Sequence, residues 1–142
     1  MIQPMNNPKL GMTFYSRYPY TPYFIWAGLA GKQHQANDYI CPIGTPLKAV
    51  TRIQVYKVFM GDKKKQHPDY GNCVYAHAMD FPGLDIIYAH CSSIAYPQHL
   101  GKIWHEGEVF AWSGNTGKSS APHLHLEFRL NGVKVDPNQF IK

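Results

Sequence analysis

Four side chains stand at spacings that could hold a divalent cation: His123 with His125, and His34 with Asp38. The first pair lies in Pro122-His123-Leu124-His125-Leu126-Glu127-Phe128-Arg129-Leu130, where polar and apolar residues alternate. Alternate residues of a strand share a face. As a strand, the segment turns Leu124, Leu126, Phe128 and Leu130 toward a core and sets His123, His125, Glu127 and Arg129 on the other face. A helix would point the two imidazoles in nearly opposite directions. His34-Gln35-Ala36-Asn37-Asp38 places an imidazole and a carboxylate four residues apart, on one face of a strand or a helix alike. Two imidazoles and one carboxylate suit a catalytic zinc, which keeps three protein ligands and leaves the fourth position to water. With 8 histidines in 142 residues, either motif alone arises readily by chance, so their joint presence and surroundings carry the weight.

The elements that must position these groups read as short strands joined by loops. Leu47 to Met60 reads as one strand, with Leu47, Ala49, Ile53, Val55 and Phe59 alternating against Lys48, Arg52 and Gln54. Residues 61–72 form a polar loop whose Lys63-Lys64-Lys65 run reads as a solvated tip. Two extended runs follow, Cys73 to Ala78 and Leu84 to His90, and then a strand over 107–113. The turn-rich SGNTGKSSAP loop leads into HLHLEFRL, and Asn131-Gly132 predicts a hairpin to Val133-Lys134-Val135. Residues 1–37, rich in Pro, Tyr and Gly, read as irregular with short extended pieces, and no segment shows a convincing amphipathic helix.

Composition fits this reading. A hydrophobic fraction of 44% with 16% charged residues is globular and excludes a disordered chain. Twelve glycines, 11 prolines and 10 tyrosines favour short strands and long loops. The length fits one domain over residues 1–142, able to bury roughly two-thirds of its unfolded surface. The net charge of +5 suits an anionic partner, and equally suits plain solubility. Cys41, Cys73 and Cys91 show no CxxC spacing and are odd in number, so at least one thiol stays free in a monomer. The most apolar run, Phe24 to Ala30, is far too short to span a bilayer, and Met1 to Arg17 shows no signal-peptide core.

A set of segments then resembles a known family. His34-x-x-x-Asp38, Tyr88-Ala89-His90 and Gly114-Asn115-Thr116-Gly117-x-Ser119-x-x-Pro122-His123-Leu124-His125 match the lysostaphin-type zinc endopeptidases in order and spacing. Pro42-Ile43-Gly44-Thr45-Pro46, Gly107-Glu108-Val109 and Val135-Asp136-Pro137 match accessory pieces, as does Thr13-Phe14-Tyr15-Ser16-Arg17 with Ser16 where Gly is usual. Ala36 stands where the family usually has Gly, and Tyr39-Ile40-Cys41 where small or apolar residues follow the Asp. The resemblance implies one zinc per chain held by His34, Asp38 and His125, with His90 and His123 catalytic. It implies a mainly β, single compact domain built on an antiparallel β-sheet, with long loops flanking a zinc-containing groove. The substrate it implies is a stem or crossbridge peptide of bacterial peptidoglycan, either a glycine bridge or a D-amino-acid crosslink.

That chemistry asks for an activated water, an acceptor for its proton and a donor for the developing oxyanion. His90 and His123 suit these tasks in either order, and the glutamate of an HExxH motif is absent. Glu127 could hydrogen-bond a ligand histidine, or pair with Arg129 or Lys134. His77 could sit near the site or be structural, Asn115 and its glycines could line the groove but read rather as a tight turn, and His67, His99 and His105 read as surface residues. Two other classes compete. An inactive wall-binding or activator module would typically have lost ligands, and all five residues are present. A nucleic-acid binder would draw on the basic charge and tyrosines, but no recognised motif appears. The expected chain is a monomer that acts without nucleic acid or membrane insertion. It would reach the wall after release by lysis, on a virion or as a trimmed mature form.

Overall fold

The computed structural model describes residues 1–142. Nine strands form one sheet: β1 (Asn37–Ile40), β2 (Pro46–Lys48), β3 (Ile53–Phe59), β4 (Asn72–Ala78), β5 (Leu84–Ile94), β6 (Ile103–Trp104), β7 (Val109–Ser113), β8 (His123–Leu130) and β9 (Val133–Val135). The main path runs β1-β8-β5-β4-β3-β6, β9 pairs with β8, and β7 joins β2 to β5. Every pairing is antiparallel. The expected mainly β antiparallel fold is therefore the observed one.

The HLHLEFRL segment is β8, and its apolar face does what alternation demands. Leu124, Leu126 and Phe128 are fully buried against Ile86, Tyr88 and Tyr39 in the main core. Leu130, at the strand end, is 37% exposed, so the core face stops at Phe128, one apolar position earlier than the pattern suggests. The Asn131-Gly132 turn closes the hairpin to β9 with φ of 51° and 83°. That double positive φ is what Asn-Gly supplies in a two-residue hairpin loop.

One expected strand divides. Leu47 to Met60 forms β2 and β3, separated by a corner at residues 49–52. Ala49 and Val50 are both fully buried, which breaks the alternation. The corner is held by a remote phenol: Tyr88 Oη accepts from the Val50 N–H and donates to the Lys48 carbonyl, both at 3.0 Å. β2 thereby pairs with β7, while β3 pairs with β4 and β6.

The one α-helix, α1 (Pro22–Trp26), buries none of its five residues. It therefore has no apolar stripe for a periodicity reading to find. β5 is the longest strand, at 11 residues. It pairs with β8 as far as Ala89 and with β7 from Cys91 onward. His90 sits at this change of partner with φ 61°, a left-handed backbone that a non-glycine residue adopts at some cost.

Candidate metal centre

Sheet register supplies the first part of the site. Asp38 in β1 lies directly across from His125 in β8, and His125 lies across from Ala89 in β5. Opposed residues of antiparallel strands carry their side chains on the same face, with Cβ atoms about 4.5–5.5 Å apart. β1 is held on its other edge by residues 9–12: the Asp38 N–H donates to the Met12 carbonyl at 2.8 Å, and the Gly11 N–H donates to the Asp38 carbonyl at 2.8 Å. The side chains of Asn37 and Asn138 exchange hydrogen bonds of 2.9 and 3.1 Å. Asn138 stands on the 3₁₀ turn Pro137–Gln139, capped by Asp136, which explains what the Asp-Pro segment near the chain end does.

His34 precedes β1 and is anchored by the entry segment. Its N–H donates to the Ser16 carbonyl at 2.7 Å. Its Nδ1 lies 2.7 Å from the Ala36 carbonyl and 3.2 Å from that of Thr13. Carbonyls only accept, so Nδ1 carries the proton and Nε2 is left with its lone pair. The left-handed residue of this turn is Gln35, φ 59°, and not Ala36, so alanine fits there without strain.

Three donor atoms converge. His34, Asp38 and His125 each offer one ligand atom, and these lie within 4.8 Å of one another. His34 Nε2 is 3.0 Å and His125 Nδ1 is 3.2 Å from Asp38 Oδ1. His34 Nε2 is buried and makes no hydrogen bond, despite its closeness to the carboxylate. An orphaned buried nitrogen facing a carboxylate is what two ligands of a shared cation look like. The donor set, two imidazoles and a carboxylate, is that of catalytic zinc.

The electrostatics favour positive charge at this point. Burial works against ionisation of Asp38, but the close approach of His125 and His34 outweighs it and holds the carboxyl well below the usual range. Burial likewise works to lower His125, while its contacts with Asp38 and Glu127 push it up to about 9. Glu127 is fully buried yet held down at about 2, since His125 and Tyr70 offset its burial.

His90 and His123 flank this cluster, with ring centroids 4.8 Å apart. The Nδ1 of His90 lies 2.7 Å from the Thr116 carbonyl, and that of His123 lies 2.7 Å from the Ala121 carbonyl. By the same acceptor argument, each ring keeps Nε2 free. The Nε2 of His123 is 3.6 Å from Asp38 Oδ1. Burial, followed by the charges of His125 and His123, pushes His90 down to about 3, so it is neutral at ordinary pH.

All five sequence-derived residues therefore meet at one place, where two clefts join. The larger, about 540 Å³, runs past Lys32, Tyr70 and Lys134. The smaller, about 320 Å³, runs past Met12, Phe24 and Pro122. Tyr18, His90 and His125 border both. The remaining singled-out residues sort as follows. His77 is held by Asp85 at 2.7 Å and stacks on Tyr56, which is a structural role. Asn115 is exposed in its turn. His67 is not the plain surface residue expected: it stacks on Tyr70 at 4.7 Å, and its Nδ1 accepts from the Tyr70 N–H at 3.0 Å.

Two site residues, Tyr70 and Tyr18, escaped the sequence reading, and a third, Thr116, stood in the quoted glycine-loop motif without a role. Tyr70, from the loop read as polar, donates to Glu127 at 2.7 Å and stacks on His125, and its carbonyl accepts the His90 N–H at 2.8 Å. Thr116 holds His90 through its carbonyl and bridges Asn72 and Cys91 through Oγ1. Tyr18 sets its ring edge against His34 at 5.3 Å. None carries a periodic signal, because each reaches the site by a loop contact.

Donor cluster and flanking histidines together form a candidate metal centre on the antiparallel sheet. Residues 32–137 match the profile of peptidase family M23, and the chain belongs to that family, whose members are zinc metallo-endopeptidases acting on peptidoglycan. It is 38% identical over 104 residues to the DD-carboxypeptidase/endopeptidase Mpg of Neisseria meningitidis, covering 73% of this chain and 22% of that protein. It is 30% identical over 143 residues to lysostaphin of Staphylococcus simulans, covering 97% of this chain and 26% of that protein. The chain thus spans about a quarter of the length of these relatives. The solved catalytic domain of lysostaphin superposes with a TM-score of 0.75 at 29% identity, covering 95% of this chain and 92% of that one.

Proposed function

We propose that this chain is a zinc endopeptidase that hydrolyses stem or crossbridge peptides of bacterial peptidoglycan. The observation that carries the reading is the convergence of His34 Nε2, Asp38 Oδ1 and His125 Nδ1 beside two histidines with free Nε2 atoms. Zinc bound by these three residues would acidify water and polarise the scissile carbonyl. His90, neutral and tied through Nδ1 to Thr116, presents Nε2 as a proton acceptor. His123, tied through Nδ1 to Ala121, presents a second Nε2 on the same side. One of the pair takes a proton, and the other hydrogen-bonds the oxyanion once it is itself protonated. The two clefts give an extended peptide room on both sides of the centre. The family's action on peptidoglycan, and the naming of one relative as a peptidoglycan DD-endopeptidase, support a wall peptide as substrate, and the +5 charge of the chain suits an anionic wall.

The test is zinc analysis and wall digestion on the same preparations. Wild type is expected to carry one zinc per chain and to release peptide fragments, identified by mass, from purified walls of at least one bacterial type. His34→Ala, Asp38→Ala and His125→Ala are expected to lose both. Full zinc in all three variants would overturn the ligand set. Wall binding without fragment release by wild type would hand the reading to a binding module.

A further inference from the structure

Building on the metal centre proposed above, we infer that Glu127, locked in place by Tyr70 and Arg129, is a positioning residue that presents Nδ1 of His125 as the ligand atom. A neutral imidazole has one N–H and one lone pair, and the partner of one nitrogen decides the role of the other. Nε2 of His125 lies 3.0 Å from Oε1 of Glu127. The carboxylate only accepts, so Nε2 carries a proton; Nδ1 faces a second carboxylate oxygen, Asp38 Oδ1 at 3.2 Å, and a cation shared with Asp38 would take the place of the proton there.

Both oxygens of Glu127 are committed. Oε1 also accepts from the Tyr70 hydroxyl at 2.7 Å, and Oε2 accepts from Arg129 Nε at 2.7 Å. The Arg129 guanidinium reaches on to the Tyr70 hydroxyl at 3.3 Å, closing a ring of contacts. The Tyr70 ring then stacks on His125, with centroids 5.5 Å apart and planes 29° from parallel, which fixes the plane of the imidazole. His34 is oriented differently, through neutral carbonyls at Nδ1. A full carboxylate behind His125 makes that ring the more basic ligand, as outer partners of metal-bound histidines do.

A bare structural ion pair between Glu127 and Arg129 would leave zinc affinity alone, and Glu127→Gln separates the two roles. Glutamine has one acceptor where the site asks for two. With its oxygen toward Arg129, its amide would donate to His125 Nε2 and drive the proton onto Nδ1. With its oxygen toward His125, the amide would face Arg129, donor against donor.

The experiment uses the full chain and zinc alone, with affinity read by chelator competition and folding read by the thermal midpoint in excess chelator. Glu127→Gln is expected to weaken zinc binding roughly 10- to 100-fold while the chelated protein still unfolds cooperatively. Asp80→Asn, which alters the exposed Arg52–Asp80 pair away from both clefts, is expected to bind zinc like wild type. Wild-type affinity in folded Glu127→Gln would overturn the inference. If that variant does not fold, Tyr70→Phe decides: weaker binding supports the inference and unchanged binding overturns it. Nitrogen-15 NMR of zinc-loaded wild type adds a direct readout, with Nδ1 coordinated and Nε2 protonated in His125 as the expected result and the reverse as contradiction. A wild type that binds no zinc would refute the metal centre itself, an outcome distinct from all of these.

Discussion

His90 and His123 each tie Nδ1 to a backbone carbonyl, and neither is needed to complete the three-residue donor cluster. Substituting either with alanine should therefore leave zinc bound while turnover falls by about a hundredfold or more, the usual contribution of a positioned acid or base. His99→Ala, exposed and stacked only on Tyr96, should cleave at the wild-type rate. Fragment release measured alongside zinc content checks this. A second residue-level expectation concerns Gly71, with φ 64°. A Cβ there would collide with Thr116 Oγ1 and lie 2.5 Å from its backbone carbon. Gly71→Ala should cost about 1–3 kcal/mol in denaturant unfolding and disturb the loop that carries Tyr70 to His90.

The element that organises the site is β8, with a core face on one side and ligand groups on the other. Leu126→Ala empties a fully buried position and should cost about 2–5 kcal/mol in stability. Leu130→Ala, at the exposed strand end, should cost less than about 1 kcal/mol on the same denaturation curve. β8 was legible in the sequence because its period of two, the HxH pair and the Asn-Gly turn all agree. The corner between β2 and β3 was not legible, because the group that stabilises it is the phenol of Tyr88, 38 residues away from Val50. The site divides in the same way. His34, Asp38, His90, His123 and His125 stand in short motifs that a reader can match. Tyr70 and Thr116 matter through contacts made when the loops at Gly71 and Gly117 interlock, and chain order holds no trace of that.

Across the whole molecule, the sheet core and the metal centre are separate layers that share β5 and β8. All three thiols belong to the core: Cys41, Cys73 and Cys91 are free and buried. Burial raises both Cys73, to about 12, and Cys91. Native protein should therefore leave these two unreacted with a thiol reagent at neutral pH, and unfolding without reductant should expose three groups. No helix is long and apolar enough to cross a membrane.

In the proposed centre, His34, Asp38 and His125 hold one zinc ion. Its most direct test is anomalous diffraction at the zinc edge from crystals of the full chain grown with one equivalent of zinc. A single strong peak is expected within bonding reach of His34 Nε2, Asp38 Oδ1 and His125 Nδ1. A peak placed at other side chains, or none at these three atoms, would contradict it.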